Sequence, residues 1–235
     1  MKKINFSVRI FVVAAIFMFV TSAWSVPAEV VAPVAETVVP VATVFPAAGQ
    51  WEFTFKPDTS FISYFLAGNL HDTLGYVRKM QGSASATIVP DGHLTKAAVQ
   101  FTFAAKEMNS DDEARDKRMY EKFMEIHIYP EIAFTAKSAG GFDQAPVLAT
   151  ATKENPLAFD LVGTLAIHGT TRDITIPVTT YIESGLLITE GTTTLQLPDY
   201  TIKNPSLFVI RTSESVKIDF HIELQPQPQA LQPSE

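Results

Sequence analysis

The sequence of 235 residues contains no cysteine. This absence excludes disulfides, thiolate metal ligands and the lipid-acceptor thiol that a lipoprotein needs. The stability of the folded protein must therefore come from packing. A chain of this length with 46% hydrophobic residues is long enough to form one sizeable core.

Clustered cations are also scarce. The formal net charge is −7, and the densest basic run, Arg115-Asp116-Lys117-Arg118, is interrupted by an acid. Nucleic-acid binding requires cations gathered on one face of a protein. The composition therefore predicts no nucleic-acid partner.

The longest apolar run lies at the N-terminus. Cations at positions 2, 3 and 9 precede the apolar stretch Ile10 to Val20, and small residues follow up to Ser25. This order is typical of a secretory signal peptide, so we predict one over residues 1–25 and export to the periplasm. The alternative is an uncleaved anchor, although the stretch is shorter than the ~20 residues of a full membrane span. Cleavage would leave 15 Lys and Arg against 25 Asp and Glu, a net charge of −10.

Two further segments lack the pattern of regular structure. Residues 26–49 are dominated by valine, alanine and proline, and this density of proline opposes both helices and paired strands. We predict an extended spacer there. Residues 225–235, QPQPQALQPSE, have a similar character and no aromatic residue, which predicts a disordered tail.

Residues 50–224 between these segments show apolar side chains at every second position, the period of a strand with one buried face. Such strands, joined by short turns, indicate antiparallel pairing in a closed barrel or a sandwich. The sequence therefore predicts an all-β domain. The clearest apolar sets are Trp51, Phe53 and Phe55; Ala84, Ala86 and Ile88; Val99, Phe101 and Phe103; Ile174, Ile176 and Val178; and Val216, Ile218, Phe220, Ile222 and Leu224.

A single helix is predicted between the strands, near residues 110–125. Ser110 and Glu113 fit a capping box, in which each side chain satisfies a free amide at the start of the helix. The helical period places four apolar side chains on one side, where they would form a lid or a wall of the barrel mouth. These residues are Met119, Tyr120, Phe123 and Met124.

Catalytic and metal-binding signatures are missing. None of the five histidines occurs as HxH or HxxxH, so the spacing predicts no metal site and no cofactor. The sequence also lacks a GxSxG nucleophile elbow. A small hydrolase or isomerase remains an alternative hypothesis, with His71 or His168 acting beside Asp58 or Asp173.

Seventeen phenylalanines and six methionines accompany small inward positions such as Ala84, Ala86 and Gly163. Strands that set small residues opposite aromatic ones can leave room for an apolar guest. Ordinary core packing produces the same periodicity, so the pattern alone leaves both interpretations open.

The stretch GTLAIHGTTRDITIP, Gly163 to Pro177, resembles a long hairpin motif of the YceI-like family of bacterial polyisoprenoid-binding proteins. Further blocks resemble the family in the same order: Trp51 with the Asp58-Thr59-Ser60 turn, LHDTLGYVRKMQG at Leu70 to Gly82, IYPEIAF at Ile128 to Phe134, and the closing run Asp199 to Leu224. The resemblance implies a lipocalin-like antiparallel barrel that holds a polyprenyl or similar amphiphilic chain.

The leading hypothesis is therefore a non-enzymatic periplasmic carrier of a long-chain isoprenoid or similar lipid, which would contact a membrane for ligand exchange. A membrane-anchored envelope interaction module is an alternative. No feature of the sequence specifies an oligomeric state. We predict that His168 hydrogen-bonds the turn it forms with Gly169 and takes no part in chemistry. The predicted ligand-binding residues are Phe53, Phe55, Phe101, Phe103, Met119, Phe123, Phe134, Leu165, Ile167, Ile176, Val178, Phe220 and Ile222.

Overall fold

The computed structural model describes residues 45–138, 147–206, 209 and 211–227. The predicted signal peptide, most of the predicted spacer and the last eight residues of the predicted tail lie outside the described residues. None of the helices in the described part of the chain is long and apolar enough to cross a membrane.

Within the described residues, ten antiparallel strands form one sheet that closes on itself, which confirms the all-β prediction. The strands are β1 (Gly49–Phe55), β2 (Phe61–Gly68), β3 (Thr73–Val77), β4 (Gln81–Ile88), β5 (Leu94–Ala104), β6 (Glu131–Ser138), β7 (Leu157–Ile167), β8 (Thr170–Glu183), β9 (Leu186–Gln196) and β10 (Thr212–Pro226).

The ten strands occupy eight positions around an antiparallel barrel. β1 and β2 both pair with β10, so together they occupy one position. β4 pairs with β1 and β3 pairs with β2, so these two strands share the next position. The remaining strands follow in sequence order around the barrel. Closure leaves no long unpaired edge.

Side-chain alternation builds the interior, as β10 illustrates. Within this strand, Lys217, Asp219 and Glu223 point outward. The apolar residues at the even-numbered positions from Val216 to Leu224 face inward. Successive side chains of a strand point to opposite faces, so the apolar pattern specifies which face is dry. The strand runs to Pro226, two residues beyond the boundary predicted for the tail.

The barrel has two ends. We call the end with the His168-Gly169 turn the upper end and the end with the Ser184-Gly185 turn the lower end. Residues 105–130 connect β5 to β6 at the upper end, because Ala104 pairs with Glu131 there. Residues 197–206 follow β9 at the upper end, whereas residues 147–156 lie at the lower end.

The predicted helix is present but starts differently. It consists of α1 (Glu113–Arg118), which continues as a π-helical turn at Met119–Phe123. The predicted capping box is wrong, because Asp112 caps the helix by accepting from the Arg115 amide at 3.0 Å. Asp111 has a φ of 58°, which turns the chain between Ser110 and the helix. The Ser110 amide instead donates to the buried Asp116 carboxylate at 3.1 Å.

Candidate functional site

A cavity of about 200 Å³ lies inside the barrel, and nearly all of the side chains around it are apolar. On β7 its lining extends from Phe159 to Ile167. Eight residue steps along a strand correspond to ~26 Å. The volume is below the ~300–1,000 Å³ of pockets for drug-sized molecules. The space is therefore long and narrow, a shape suited to a slender chain.

Ten of the thirteen residues predicted to bind a ligand line this cavity. They come from six of the strands, and they converge because each occupies an inward position of its strand. These ten residues are Phe53, Phe55, Phe101, Phe103, Phe134, Leu165, Ile167, Ile176, Phe220 and Ile222.

The other three predicted residues lie outside the lining. Met119 places its sulfur 3.8 Å from the Tyr64 hydroxyl, and the Arg118 guanidinium lies 5.4 Å above the ring of Phe123. Val178 is buried in the barrel wall. Of the four residues on the predicted apolar side of the helix, Met124 is the one that reaches the cavity.

Several lining residues were not among those predicted. Met108, Leu148, Tyr200 and Ile202 line the cavity from connections between strands. Strand periodicity carries no information about which way a residue in a turn points, so the alternation pattern does not identify them. Tyr64 lies in β2, whose sequence FISYFLAG has apolar residues on both faces and therefore shows no clear period of two.

The small residues have two different roles. Ala84 and Ala86 line the cavity, as predicted. Gly163 does not, because a Cβ atom there would lie 2.0 Å from the Thr135 carbonyl oxygen. Gly163 therefore allows the backbone of β6 to approach β7 closely, and it adds no room for a guest. Gly191 makes room for a lining side chain, since its missing Cβ would lie 2.4 Å from the Phe220 ring.

The upper part of the cavity contains a buried phenol. Burial, followed by the negative charge of Asp116, raises the pKa of Tyr64 well above its usual value. The hydroxyl therefore keeps its proton. Within the described part of the chain it donates to Met119 Sδ at 3.8 Å, and a thioether is a weak acceptor. This hydrogen bond points the Tyr64 hydroxyl toward Met119, outside the cavity lining.

His168 is held by residues from other segments. His168 and Gly169 both have positive φ, 51° and 71°, as a two-residue type I′ hairpin turn requires. The His168 ring does not bond its own turn, so that part of the prediction is wrong. Nε2 lies 3.0 Å from Glu125 Oε2, and Nδ1 lies 3.2 Å from the Thr201 hydroxyl. The ring also packs against Tyr129, with centroids 4.4 Å apart.

The residues of the enzyme hypothesis do not converge on one another. Among the described residues, no hydrogen bond or ion pair joins His71 or His168 to Asp58 or Asp173. The described part of the chain likewise contains no group of three or more histidine and acidic side chains that could hold a metal ion.

The fold agrees with the comparison to known families. The model of the YceI-like domain matches residues 53–224, most of the chain. The chain belongs to the YceI-like family. Comparison with curated proteins gives no match.

Two solved structures share the fold of this YceI-like chain. The structure of BcnA from Burkholderia cenocepacia has a TM-score of 0.57 and 16% identity, and the similarity covers 72% of this chain and 98% of that one. A polyisoprenoid-binding domain from Saccharophagus degradans has a TM-score of 0.56 and 18% identity, with 74% and 98% covered. At these identities the similarity establishes the shared fold.

Proposed function

We propose that this YceI-like protein is a non-enzymatic periplasmic carrier that binds a long-chain isoprenoid, or a similar amphiphilic lipid, inside its barrel. The observation that carries the proposal is the narrow apolar cavity running along the barrel interior. The polyisoprenoid-binding domain from Saccharophagus degradans, which has the same fold, supports an isoprenoid as the ligand.

Burial of apolar surface would supply the affinity. Transfer of apolar surface out of water stabilises by ~25 cal/mol per Å². A long prenyl chain has only apolar surface to offer, and it would meet phenylalanine rings and aliphatic side chains along its whole length. The gain therefore exceeds the cost of ordering the chain.

We assign direct ligand contacts to the ten predicted residues that line the cavity. Met119 and Phe123 would act indirectly, by supporting the wall that contains Met124, and Val178 would support the wall from within the sheet. The predicted signal peptide supports export to the periplasm. A carrier of so apolar a ligand would collect and deliver it by contact with a membrane.

The test replaces an inward phenylalanine by a charged residue. Phe101 lines the cavity and packs against Phe134 with ring centroids 5.1 Å apart. We expect Phe101→Asp to abolish retention of a linear prenol, because a carboxylate would have to be buried beside the chain. Retention is measured by incubating the protein with the prenol, removing the free lipid and quantifying the bound lipid by mass spectrometry.

The matched control is Val162→Asp. Val162 points outward from β7 and is 42% exposed, so the same carboxylate would lie in water. Retention should match that of the unmodified protein. If a folded Phe101→Asp variant, verified by circular dichroism, bound the prenol with unchanged affinity, the chain would not occupy this cavity.

A further inference from the structure

Leu148 closes the lower end of the cavity. It lies in a 3₁₀ turn, Leu148–Thr150, within the connection from β6 to β7, and it is fully buried. Among the described residues that line the cavity, Leu148 is the one at the lower end that does not come from a strand. Its buried side chain therefore lines this end of the cavity from outside the strands.

The turn that carries Leu148 is fixed on two sides. Val147 and Ala149 pack against the β4–β5 turn so closely that a Cβ atom on Gly92 would lie 3.1 Å from the Ala149 methyl. On the other side, the Ile182 amide donates to the Ala151 carbonyl at 3.4 Å. These contacts hold Leu148 as a fixed end wall.

The polar groups of the cavity favour one direction for a bound chain. At the lower end, the Thr180 hydroxyl donates to the Ile188 carbonyl at 2.8 Å, so its proton is already used. A ligand with a polar head would therefore place its apolar tail, and not its head, toward Leu148.

We propose that Leu148 determines the length of the apolar chain that the barrel accepts, with the tail of the ligand ending against its side chain. This inference rests on the proposed lipid-carrier function and adds a residue that sets its specificity. Chains that end at or before Leu148 fit inside, and longer chains must leave part of their apolar surface in water.

The experiment offers a graded series of linear prenols to the unmodified protein and to three variants. Leu148→Ala removes about three carbon atoms from the end wall, so the longest prenol retained at full stoichiometry should become longer by about one isoprene unit. Leu148→Phe adds volume at the same place and should shorten the limit. Native mass spectrometry reports which prenols remain bound.

Leu157→Ala is the matched control, because Leu157 is also buried at the lower end, in the same core cluster, but does not line the cavity. The control makes the same chemical change and should lower stability without moving the length limit. Thermal unfolding of all variants shows whether each is folded at the temperature of the assay.

The outcomes separate the two claims. Opposite shifts in length for Leu148→Ala and Leu148→Phe support the end wall. An unchanged limit in both folded variants overturns it while leaving the carrier function intact, and faster exchange without a change in length assigns Leu148 to a gate. If the unmodified protein retains no prenol of any length, the proposed function itself fails, and this inference fails with it.

Discussion

His168 lies where three segments of the upper end meet. Its ring nitrogens contact Glu125 and Thr201, which belong to the connections from β5 to β6 and from β9 to β10. Its φ of 51° shapes the turn between β7 and β8. The His168 side chain thus links the two connections at the upper end to the turn between β7 and β8. Both nitrogens are occupied by these contacts, which explains the position of His168 without catalysis.

Replacing His168 by alanine should lower the free energy of unfolding by about 1–3 kcal/mol, because two side-chain hydrogen bonds and the Tyr129 contact would be lost. Denaturant unfolding measures the change. The control is His127→Ala at an exposed position of the same end, with an expected change within ~0.5 kcal/mol. Equal effects of the two substitutions would contradict the structural role of His168.

The start of α1 shows how the backbone conformation of one residue can make a sequence motif misleading. Ser110 and Glu113 have the spacing of a capping box, but the positive φ of Asp111 removes Ser110 from the helix axis. Asp112 then becomes the first capping residue. Positive φ at aspartate is uncommon. At Asp111 it accompanies a tertiary contact, in which the buried Asp116 carboxylate accepts from the Ser110 amide. The local sequence therefore does not reveal this backbone conformation.

At the scale of elements, the pairing of β6 with β7 depends on Gly163. A Cβ atom at this position would lie 2.0 Å from a backbone oxygen and 2.5 Å from the Ala136 Cα, neither of which can move without shifting the strand. The close approach of the two strands therefore depends on the missing Cβ atom of Gly163 and is unrelated to the cavity.

Gly163→Ala should destabilise the barrel by at least ~2 kcal/mol through this overlap. Gly185→Ala provides the comparison: its φ of 77° strains any side chain, but a Cβ there meets nothing within 4 Å. We expect that substitution to lower the free energy of unfolding by ~1 kcal/mol. Thermal unfolding of both variants tests the difference, and a smaller loss for Gly163→Ala than for Gly185→Ala would refute the close approach.

The outer face of β10 makes stability depend on pH. A hydrogen bond from Thr59, with further help from Lys56 and His221, holds the pKa of Glu223 below its ordinary value. Hydrogen bonds from Lys217 and then Thr192 lower the pKa of Asp219. A lowered pKa in the folded state adds stability above the unfolded pKa of about 4, and this stability is lost as pH falls through the folded value.

The double variant Glu223→Gln, Asp219→Asn should therefore show a shallower loss of stability below about pH 4 than the unmodified protein. Urea unfolding at a series of acidic pH values gives the slope of the unfolding free energy against pH. Thr175→Ala, at an exposed position of β8, changes no charged group, so it serves as the control and should keep the original slope. Identical slopes for the double variant and the unmodified protein would rule out this origin of acid sensitivity.

For the strands, sequence alone predicts much of the candidate site. Alternation identifies ten lining residues correctly because a strand has only two faces, and one of them must be dry. It fails for Leu148, Tyr200 and Ile202, which close the ends of the barrel from turns. The orientation of a turn residue follows from the three-dimensional path of the chain, which no short-range period encodes.

At the scale of the whole molecule, closure of the sheet makes the interior a single compartment. Among the described strands the closed sheet leaves only the short β3 with an unpaired edge, and apolar residues on the inward faces make the compartment nearly free of polar groups. Residues of the connections line the compartment at the upper end, and Leu148 lines it at the lower end. The proposed lipid would lie in this apolar compartment.

Native mass spectrometry of the protein purified from its own cells, followed by organic extraction and lipid mass analysis, tests the proposed carrier function most directly. Our account predicts one prenyl or similar long-chain lipid per barrel, released on extraction. Protein without lipid, which also takes up no prenol when offered a series of them, would contradict the account and indicate a solidly packed interior.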